Sequence, residues 1–225
     1  MEDPSGGVSF RDLTLGGFVE ELASGAPVPG GGSASAVAAS LGAALVAMVS
    51  ALSEGRPKYA AHADLHGHSQ AVGRRLSGRL LDLADEDAEA YAGFAAAMKL
   101  PRATAEELAT RTTALRRAAR RAAEVPMLTV EACLELVATA ESLVGRSNVN
   151  ASSDLDVATL LAEAAARGAA ANVLINLPSV DDESFSGEAA ARVMSILASI
   201  EEIVATVHAG VRNPGTREPL EPPSS

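Results

Sequence analysis

Apolar residues recur every three or four positions over most of the chain, and no stretch alternates strictly between apolar and polar residues. The clearest example is the uncharged segment 33–53, in which the large side chains form one stripe: Val37, Leu41, Leu45, Met48 and Leu52. This spacing is typical of amphipathic helices, whereas strict alternation would indicate strands. The pattern therefore predicts an all-α protein.

Glycine, proline and capping residues divide this pattern into six predicted helices. Ser33 is predicted as the N-cap of the second helix. Thr104 with Glu107, and likewise Ser153 with Asp156, have the spacing of a capping box before the fourth and fifth helices. The predicted helices span about residues 13–24, 33–55, 59–98, 104–144, 153–177 and 182–211.

The continuous alanine-rich core indicates one domain over residues 1–211, a single bundle of about six helices with kinked long helices. Pro126 predicts a kink in the fourth helix, because proline removes a backbone donor. Residues 212–225 are rich in proline and polar side chains, which predicts a disordered tail. Surfaces of small residues often continue into subunit interfaces, so we also expect a homodimer.

Composition and charge narrow the partners and the location. A formal net charge of −11 argues against nucleic acid, whose phosphates require a basic surface. The single cysteine, Cys133, excludes an internal disulfide and fits a reducing compartment. The first residues include acids and lack the basic and apolar regions of a secretory signal. We therefore expect a cytoplasmic protein that binds no nucleic acid.

The segment 33–53 is also long enough to span a bilayer. It consists mostly of Gly, Ala and Ser, however, so its apolar driving force is weak. Ala39, Ala43 and Ala47 form a small-residue stripe on the same helix, as expected where a neighbouring helix packs closely. The segment is therefore predicted to be a buried bundle helix, and we expect no membrane contact.

Asp87 is the carboxylate of segment 80–94 whose position does not fit a solvated polar face. Four other acids of segment 80–94 share one polar face at steps of three or four: Asp82, Asp85, Glu86 and Glu89. Asp87 instead falls between the apolar neighbours Leu83 and Tyr91. Burial raises the pKa of a carboxyl group, which suits proton transfer near neutral pH. A structural acid paired with a buried Arg or amide is an equally good interpretation.

A second polar group lies in the segment SNVNASSD, residues 147–154, where the fifth helix is predicted to begin. Helix N termini favour anions, but capping by Ser153 and Asp154 is the simpler interpretation. Asn148 and Asn150 exceed what a cap needs, so a polar pocket also fits this segment.

The loop PGGGS, residues 29–33, lacks the Gly-Lys-Ser ending of a phosphate loop, and no predicted strand precedes it. Its glycines would allow a helix or a ligand to approach the backbone closely. Lys58 and Tyr59 follow the second helix, where a basic group could hold an anionic ligand. A solvated turn is the ordinary interpretation of that pair.

Other polar residues have simpler interpretations. Asn172 and Asn176 lie one turn apart in an apolar helix, and pinning of a helix crossing explains them best. His62 and His66 have the i, i+4 spacing of a zinc helix, but no general-base Glu lies between them, so we expect no metal. Cys133 lies on an apolar helix and is interpreted as a packing residue.

Taken in order, several of these segments resemble the cyclodeaminase/cyclohydrolase family. This family comprises the C-terminal domain of formimidoyltransferase-cyclodeaminase and the stand-alone methenyltetrahydrofolate cyclohydrolases. The matching segments are PVPGGGSASAVAASLGAALVAMVSALS (27–53), Lys58-Tyr59, LLDLADEDAEAY (80–91), Val125-Pro126, SNVNASSDLDVA (147–158) and GAAANVLINL (168–177). The resemblance extends over about residues 10–210.

The resemblance implies an all-helical homodimer that takes a tetrahydrofolate derivative as substrate, with no tightly bound cofactor. It implies one of two reactions at the same carbon. A methenyltetrahydrofolate cyclohydrolase adds water to give 10-formyltetrahydrofolate, and a formimidoyltetrahydrofolate cyclodeaminase closes the ring with loss of ammonia. No segment matching the transferase domain precedes the resemblance, which favours the cyclohydrolase. The alternative is a catalytically inactive helical dimer that binds a small anionic metabolite or a partner protein.

The resemblance also implies roles for particular residues. Asp87 would be the general acid/base, and Lys58 would contact the substrate or a nearby carboxylate. The substrate-binding residues would be Gly30, Gly31, Gly32, Ser33, Tyr59, Asn148, Asn150 and Asp154. Ser147 stands where the family tends to have glycine, a departure that could reshape the pocket.

Overall fold

The computed structural model of the protein describes residues 9–213 and 215–220. These residues contain six α-helices and no β-strand, which confirms the predicted all-α class. The helices are α1 (Leu15–Leu22), α2 (Gly31–Ser53), α3 (Ala63–Met98), α4 (Ala105–Leu143), α5 (Ser152–Asn176) and α6 (Glu183–Arg212). Residues 1–8, which carry the acids of the N terminus, lie outside the described residues.

Helix α2 packs between α3 and α5, and both neighbours run antiparallel to it. Gly73 of α3 lies so close to α2 that an added Cβ would be 2.7 Å from the Ala43 carbonyl oxygen. Gly42 of α2 has the same relation to α5, at 2.8 Å from the Ala158 carbonyl oxygen. The glycines and alanines of α2 therefore let three helices close on one another, as their stripe predicts.

Two of the three predicted caps differ from the structure. Thr104 and Glu107 form the predicted capping box at the start of α4. The prediction for Ser33 is wrong, because Gly30 is the N-cap of α2 and Ser33 lies buried inside the helix. The predicted box at the start of α5 is also wrong. The turn Val149–Ala151 leads directly into α5, and the N-cap residue of α5 is Ala151, which has no side chain that could form a capping hydrogen bond.

Helix α4 continues through Pro126, which has no N–H to donate to the carbonyl of Ala122. The side chain of Asn176 takes over that role, since its Nδ2 donates to the Ala122 oxygen at 3.0 Å. A hydrogen bond from α5 thus satisfies the carbonyl that proline leaves unpaired in α4. This contact ties the end of α5 to the middle of α4.

The outward faces of α2 and α5 are apolar and partly exposed. Leu41 of α2 is 53% exposed, and Ile175 of α5 is 76% exposed. By length and composition alone, the helix Gly31–Ser53 and the helical segment Val149–Ser179 could each cross a membrane. Core helices of soluble proteins pass the same test, and half of the first window is buried in the bundle. The expected lack of membrane contact stays a prediction.

Part of the predicted tail has defined contacts with the bundle. The backbone N–H of Arg217 donates to the Gly145 carbonyl at 3.1 Å. Arg146 Nε donates to the Glu218 carbonyl at 2.6 Å. Residues 215–218 therefore lie against the turn that follows α4. Residues 214 and 221–225 lie outside the described residues, and disorder over 212–225 stays a prediction.

Candidate active site

A cavity of about 370 Å³ lies at the N-terminal end of α2. It is bounded by the glycine loop, by one side of α3 and by the last turns of α5. Its lining residues are Pro27, Val28, Gly30, Gly31, Gly32, Asp87, Tyr91, Phe94, Ala122, Asn172, Ile175 and Asn176. We call it the Asp87 cavity, since Asp87 is the only carboxylate among these residues.

Asp87 lies directly against the first turn of α2. A Cβ added to Gly32 would overlap the Asp87 carboxyl group, so only glycine allows this approach. The Ser33 hydroxyl donates to Asp87 Oδ2 at 3.2 Å and lies 3.0 Å from the carbonyl oxygen of Ala84. Helix α2 has no side-chain cap of its own, and the carboxyl group occupies the place that an N-cap side chain would otherwise take.

Burial raises the pKa of Asp87 above the ordinary range of an aspartate, because desolvation disfavours the charged form. Hydrogen bonds from the Ser33 side chain and backbone lower it, but they do not cancel the effect of burial. No Arg or Lys is hydrogen-bonded to Asp87 in the described part of the chain. Pairing of a structural acid with a buried Arg is therefore absent from the described residues, whereas pairing with an amide stays open, since the backbone of Ser33 donates to the carboxyl group.

Two further polar residues of the cavity are Asn172 and Asn176, which the sequence predicted only as pins of a helix crossing. Asn176 does pin α5 to α4 through the Ala122 carbonyl. Both side chains also line the Asp87 cavity. Their spacing of one turn within an apolar helix was the available signal, but only the packing of α5 beside α2 places them at the glycine loop.

The remaining predicted site residues lie at the other end of α2. Lys58 and Tyr59 line a separate cleft of about 120 Å³, which we call the Tyr59 cleft. Lys58 is exposed, with Nζ 5.3 Å from the centre of the Tyr59 ring. The hydroxyl of Tyr59 accepts a hydrogen bond from Val149 N at 3.1 Å, and Asn148 N donates to Ser53 Oγ at 2.8 Å.

Within one chain, the predicted site is therefore divided in two. Helix α2 has 23 residues. At 1.5 Å per residue it separates the Asp87 cavity from the Tyr59 cleft by about 34 Å. Gly30, Gly31, Gly32 and Ser33 lie with Asp87, whereas Lys58, Tyr59, Asn148 and Asn150 lie at the far end. Asp154, in the first turn of α5, lines neither space.

The polar face of α3 is held by hydrogen bonds and ion pairs. Asp82 pairs with Arg11 at 2.6 Å, and Asp85 accepts a hydrogen bond from the backbone N–H of Phe10 at 2.8 Å. Glu86 pairs with Arg79 and Arg121. Burial acts to raise the pKa of Glu86, but these two arginines lower it overall. Asp82 and Glu86 are thus held by arginines and Asp85 by a backbone N–H, whereas Asp87 forms no ion pair among the described residues.

His62 and His66 are buried between α3 and the turn after α4. His66 Nε2 is 2.8 Å from the Arg146 carbonyl oxygen, and His62 Nδ1 is buried without a hydrogen-bond partner among the described residues. Burial lowers the pKa of His62. Over residues 9–213 and 215–220, no group of three or more His, Cys, Asp or Glu side chains is arranged to hold a metal ion. Cys133 is buried, and burial raises its pKa to about 12.

Comparisons with known proteins agree on one family. The sequence model of the family described as Formiminotransferase-cyclodeaminase matches residues 14–195. Methenyltetrahydrofolate cyclohydrolase from Methylorubrum extorquens is 38% identical over 189 residues, which is 82% of this chain and 89% of that protein. Formimidoyltransferase-cyclodeaminase from Rattus norvegicus is 37% identical over 196 residues, 84% of this chain. The chain spans only 35% of the length of that relative.

The fold agrees as well. The crystal structure of formiminotetrahydrofolate cyclodeaminase from Thermotoga maritima matches with a TM-score of 0.81 and 27% sequence identity. The match covers 90% of this chain and 98% of that one. The chain therefore belongs to the formiminotransferase-cyclodeaminase family, the same family of folate enzymes that its sequence motifs resemble.

Proposed function

We propose that this protein is a methenyltetrahydrofolate cyclohydrolase in which Asp87 is the general acid/base. The observation that carries the proposal is a half-buried carboxyl group with a raised pKa at the wall of an open cavity. A raised pKa makes a carboxyl group a better proton carrier at neutral pH than an ordinary aspartate is. The relative from Methylorubrum extorquens, matched over 89% of its length, carries this activity in its name.

The proposed reaction uses Asp87 twice. Water attacks the methenyl carbon, and Asp87 accepts one of its protons as the C–O bond forms. The product of this step is a tetrahedral carbon bonded to N5, N10 and a hydroxyl group. Asp87 then returns the proton to N5 as the C–N5 bond breaks, and the hydroxyl proton passes to solvent. A formyl group is left on N10. The carboxylate also suits the positive charge of the methenyl substrate.

The second candidate is formimidoyltetrahydrofolate cyclodeaminase. In this reaction N10 attacks the carbon of the protonated formimidoyl group, and Asp87 takes the N10 proton and returns it to the amino group now on that carbon. The C–N bond to that group then breaks, which releases ammonia and leaves the methenyl cation. The observation in its favour is the fold, because the Thermotoga maritima protein with this name is matched over 98% of its chain. Relatives named for either reaction are thus matched over most of their length, so the extent of the match does not discriminate between the two reactions.

We also propose that the protein is a homodimer through the outward faces of α2 and α5. The exposed side chains of α2 are uncharged, and Leu41, Met48 and Leu52 are the large apolar ones among them. A twofold axis across the middle of α2 would set two copies of this helix antiparallel. The C-terminal end of one α2 would then lie beside the N-terminal end of the other. This arrangement would bring the partner's Lys58 and Tyr59 to the Asp87 cavity and complete the predicted site.

The test of the proposed function is an assay of the purified protein with both substrates. A cyclohydrolase accelerates the loss of near-ultraviolet absorbance of 5,10-methenyltetrahydrofolate above its spontaneous hydrolysis. A cyclodeaminase releases ammonia from 5-formimidoyltetrahydrofolate. We expect the first activity to dominate. Dominant ammonia release would replace the proposal with the second candidate, and absence of both activities would contradict a catalytic role.

A further inference from the structure

We propose that Asn172 and Asn176 are positioning residues, whose side-chain oxygens accept hydrogen bonds from the N–H edge of the substrate's pteridine ring in the Asp87 cavity. This inference rests on the proposed folate function and adds the contact that orients the ring. The two amides lie one turn apart on α5 and both line the cavity beside Asp87.

The orientation of Asn176 is determined by its donors. Its Nδ2 group donates to the carbonyl of Ala122 at 3.0 Å and to that of Asn172 at 2.8 Å. Both amide hydrogens are thereby used, so the amide cannot be turned around without losing both bonds. Because Pro126 leaves the Ala122 carbonyl without a helical donor, the fold requires the hydrogen bond from Asn176 to Ala122. The oxygen of Asn176 is consequently held in a constant direction.

The amide nitrogen of Asn172 also donates to a backbone carbonyl, but this bond lies within α5 and joins no other helix. Asn172 Nδ2 donates to the Gly168 carbonyl of its own helix at 2.9 Å. A Cβ added to Gly31 would lie 3.8 Å from the same nitrogen, so the amide lies beside the glycine loop. No described residue outside α5 forms a hydrogen bond with this side chain. Packing of the bundle therefore gives no reason for an amide at this position.

Both side-chain oxygens are free to accept a hydrogen bond from a ligand. No described residue donates to Oδ1 of Asn172 or of Asn176. Neither oxygen is sealed from solvent, since the sealed and unpaired side-chain atoms in the described chain are His62 Nδ1, Ser69 Oγ and Arg111 Nε. Two unpaired acceptors thus face accessible space, on residues that line the Asp87 cavity.

This arrangement suits a flat heterocycle that carries donors along one edge. The pteridine ring of a reduced folate has an exocyclic amino group and ring N–H groups, and its faces are apolar. Tyr91, Phe94 and Ile175 give the cavity the apolar surface that such faces need. Neutral amide oxygens accept from the ring without adding a charge beside Asp87. A second carboxylate in their place would raise the pKa of Asp87 further.

The first test replaces Asn172 by leucine, which has a similar shape and no acceptor. We expect the KM for 5,10-methenyltetrahydrofolate to rise roughly five- to tenfold, the equivalent of one neutral hydrogen bond. The value of kcat should change far less, and the melting temperature should stay within about 2 °C, because the lost bond lies within α5. The matched control is Gln70→Leu, which removes a half-buried amide of α3 outside the cavity.

The second test separates the two roles of Asn176. Asn176→Leu alone should lower the melting temperature, because the Ala122 carbonyl loses its donor. Pro126→Ala supplies a helical N–H to that carbonyl, so Asn176→Leu should cost less stability in the Pro126→Ala background. In that background, we expect the substitution still to raise KM relative to Pro126→Ala alone.

The outcomes distinguish this inference from the proposed function. An unchanged KM in both Asn172→Leu and the Pro126→Ala/Asn176→Leu pair would overturn the inference while leaving the function intact. If the wild-type protein has neither activity, binding of 5-formyltetrahydrofolate is measured by calorimetry instead. Equal affinity of wild type and Asn172→Leu, or no binding by the wild type, would then overturn the inference.

Discussion

At the residue scale, the contact between Asp87 and Gly32 fixes the position of the carboxyl group in the cavity. The carboxyl group of Asp87, on α3, packs against the first turn of α2 at a distance that only glycine permits. Its hydrogen bonds come from Ser33, and burial raises its pKa. A carboxylate close to a helix N terminus usually stabilises the helix. Here desolvation outweighs the hydrogen bonds from Ser33, which fits the proton-transfer role that we propose for Asp87.

Asp87→Asn should therefore not destabilise the protein at neutral pH. Because the pKa of Asp87 is higher in the folded than in the unfolded chain, its contribution to stability is fully present below the unfolded pKa and is lost as pH rises through the folded pKa. At pH 7 we expect the free energy of unfolding of Asp87→Asn to equal or exceed that of wild type. The difference should shrink towards pH 3. Urea unfolding at both pH values measures it.

The matched control for this measurement is Asp85→Asn on the same helix. Asp85 accepts hydrogen bonds from the Ser9 hydroxyl and the Phe10 backbone N–H. Its charge-assisted bonds should contribute to stability at pH 7, so the control should be less stable than wild type. A loss of stability in Asp87→Asn as large as that in Asp85→Asn would mean that Asp87 is a structural cap of α2.

At the element scale, α2 explains how much of the fold can be read from the sequence. Its small-residue stripe predicts close packing, which the glycines at 42 and 73 confirm on both sides, whereas its stripe of large apolar residues faces outward, with Leu41 53% exposed. The misplaced cap at Ser33 has a different origin. Capping rules consider only neighbours along the chain, whereas the group beside the first turn of α2 is Asp87, 54 residues away from Ser33.

The role of α5 was harder to predict for the same reason. Asn172 and Asn176 are conspicuous in an apolar helix, but a pin and a ligand contact leave the same signal in the sequence. Their relation to the glycine loop depends on α5 packing antiparallel to α2, a long-range contact that local patterns do not encode. The freed carbonyl at Ala122 could have been anticipated from Pro126, but not the residue that pairs with it.

Gly32→Ala tests the close contact between α2 and α3. The added methyl group would displace the Asp87 carboxyl group from its position, and we expect kcat/KM to fall roughly 100-fold. Helix α2 itself should not suffer, since alanine favours helix more than glycine does. Gly67→Ala in α3 is the comparison, because its methyl group would meet nothing within 4 Å. Equal losses in the two variants would contradict the importance of this contact.

At the scale of the whole molecule, the predicted site residues occupy both ends of one helix. The sequence predicted every one of them as a single group, because sequence order gives no distance between Asp87 and Lys58. Antiparallel packing of two α2 helices would reunite the groups, and the uncharged outward face of α2 is the surface available for it. Subunit assembly is therefore part of the proposed site.

Mixing two inactive variants tests this arrangement. Asp87→Asn and Lys58→Met should each be nearly inactive alone. After unfolding and refolding together in equal amounts, half of the dimers carry one substitution in each chain. One of their two sites is then free of both substitutions, so roughly a quarter of the wild-type activity should return. No recovery, with heterodimers demonstrated by mass spectrometry, would contradict a site shared by Asp87 of one chain and Lys58 of the other.

The most direct measurement is the rate at which wild type and Asp87→Asn remove the near-ultraviolet absorbance of 5,10-methenyltetrahydrofolate, corrected for spontaneous hydrolysis. We expect kcat to fall by about 10² to 10⁴ in Asp87→Asn, the range typical for loss of a general acid/base. Asp85→Asn, assayed at a temperature where it stays folded, should keep most of the activity. If Asp87→Asn turned over the substrate as fast as wild type, Asp87 would not be the proton-transfer group, and the mechanism proposed for this cavity would be wrong.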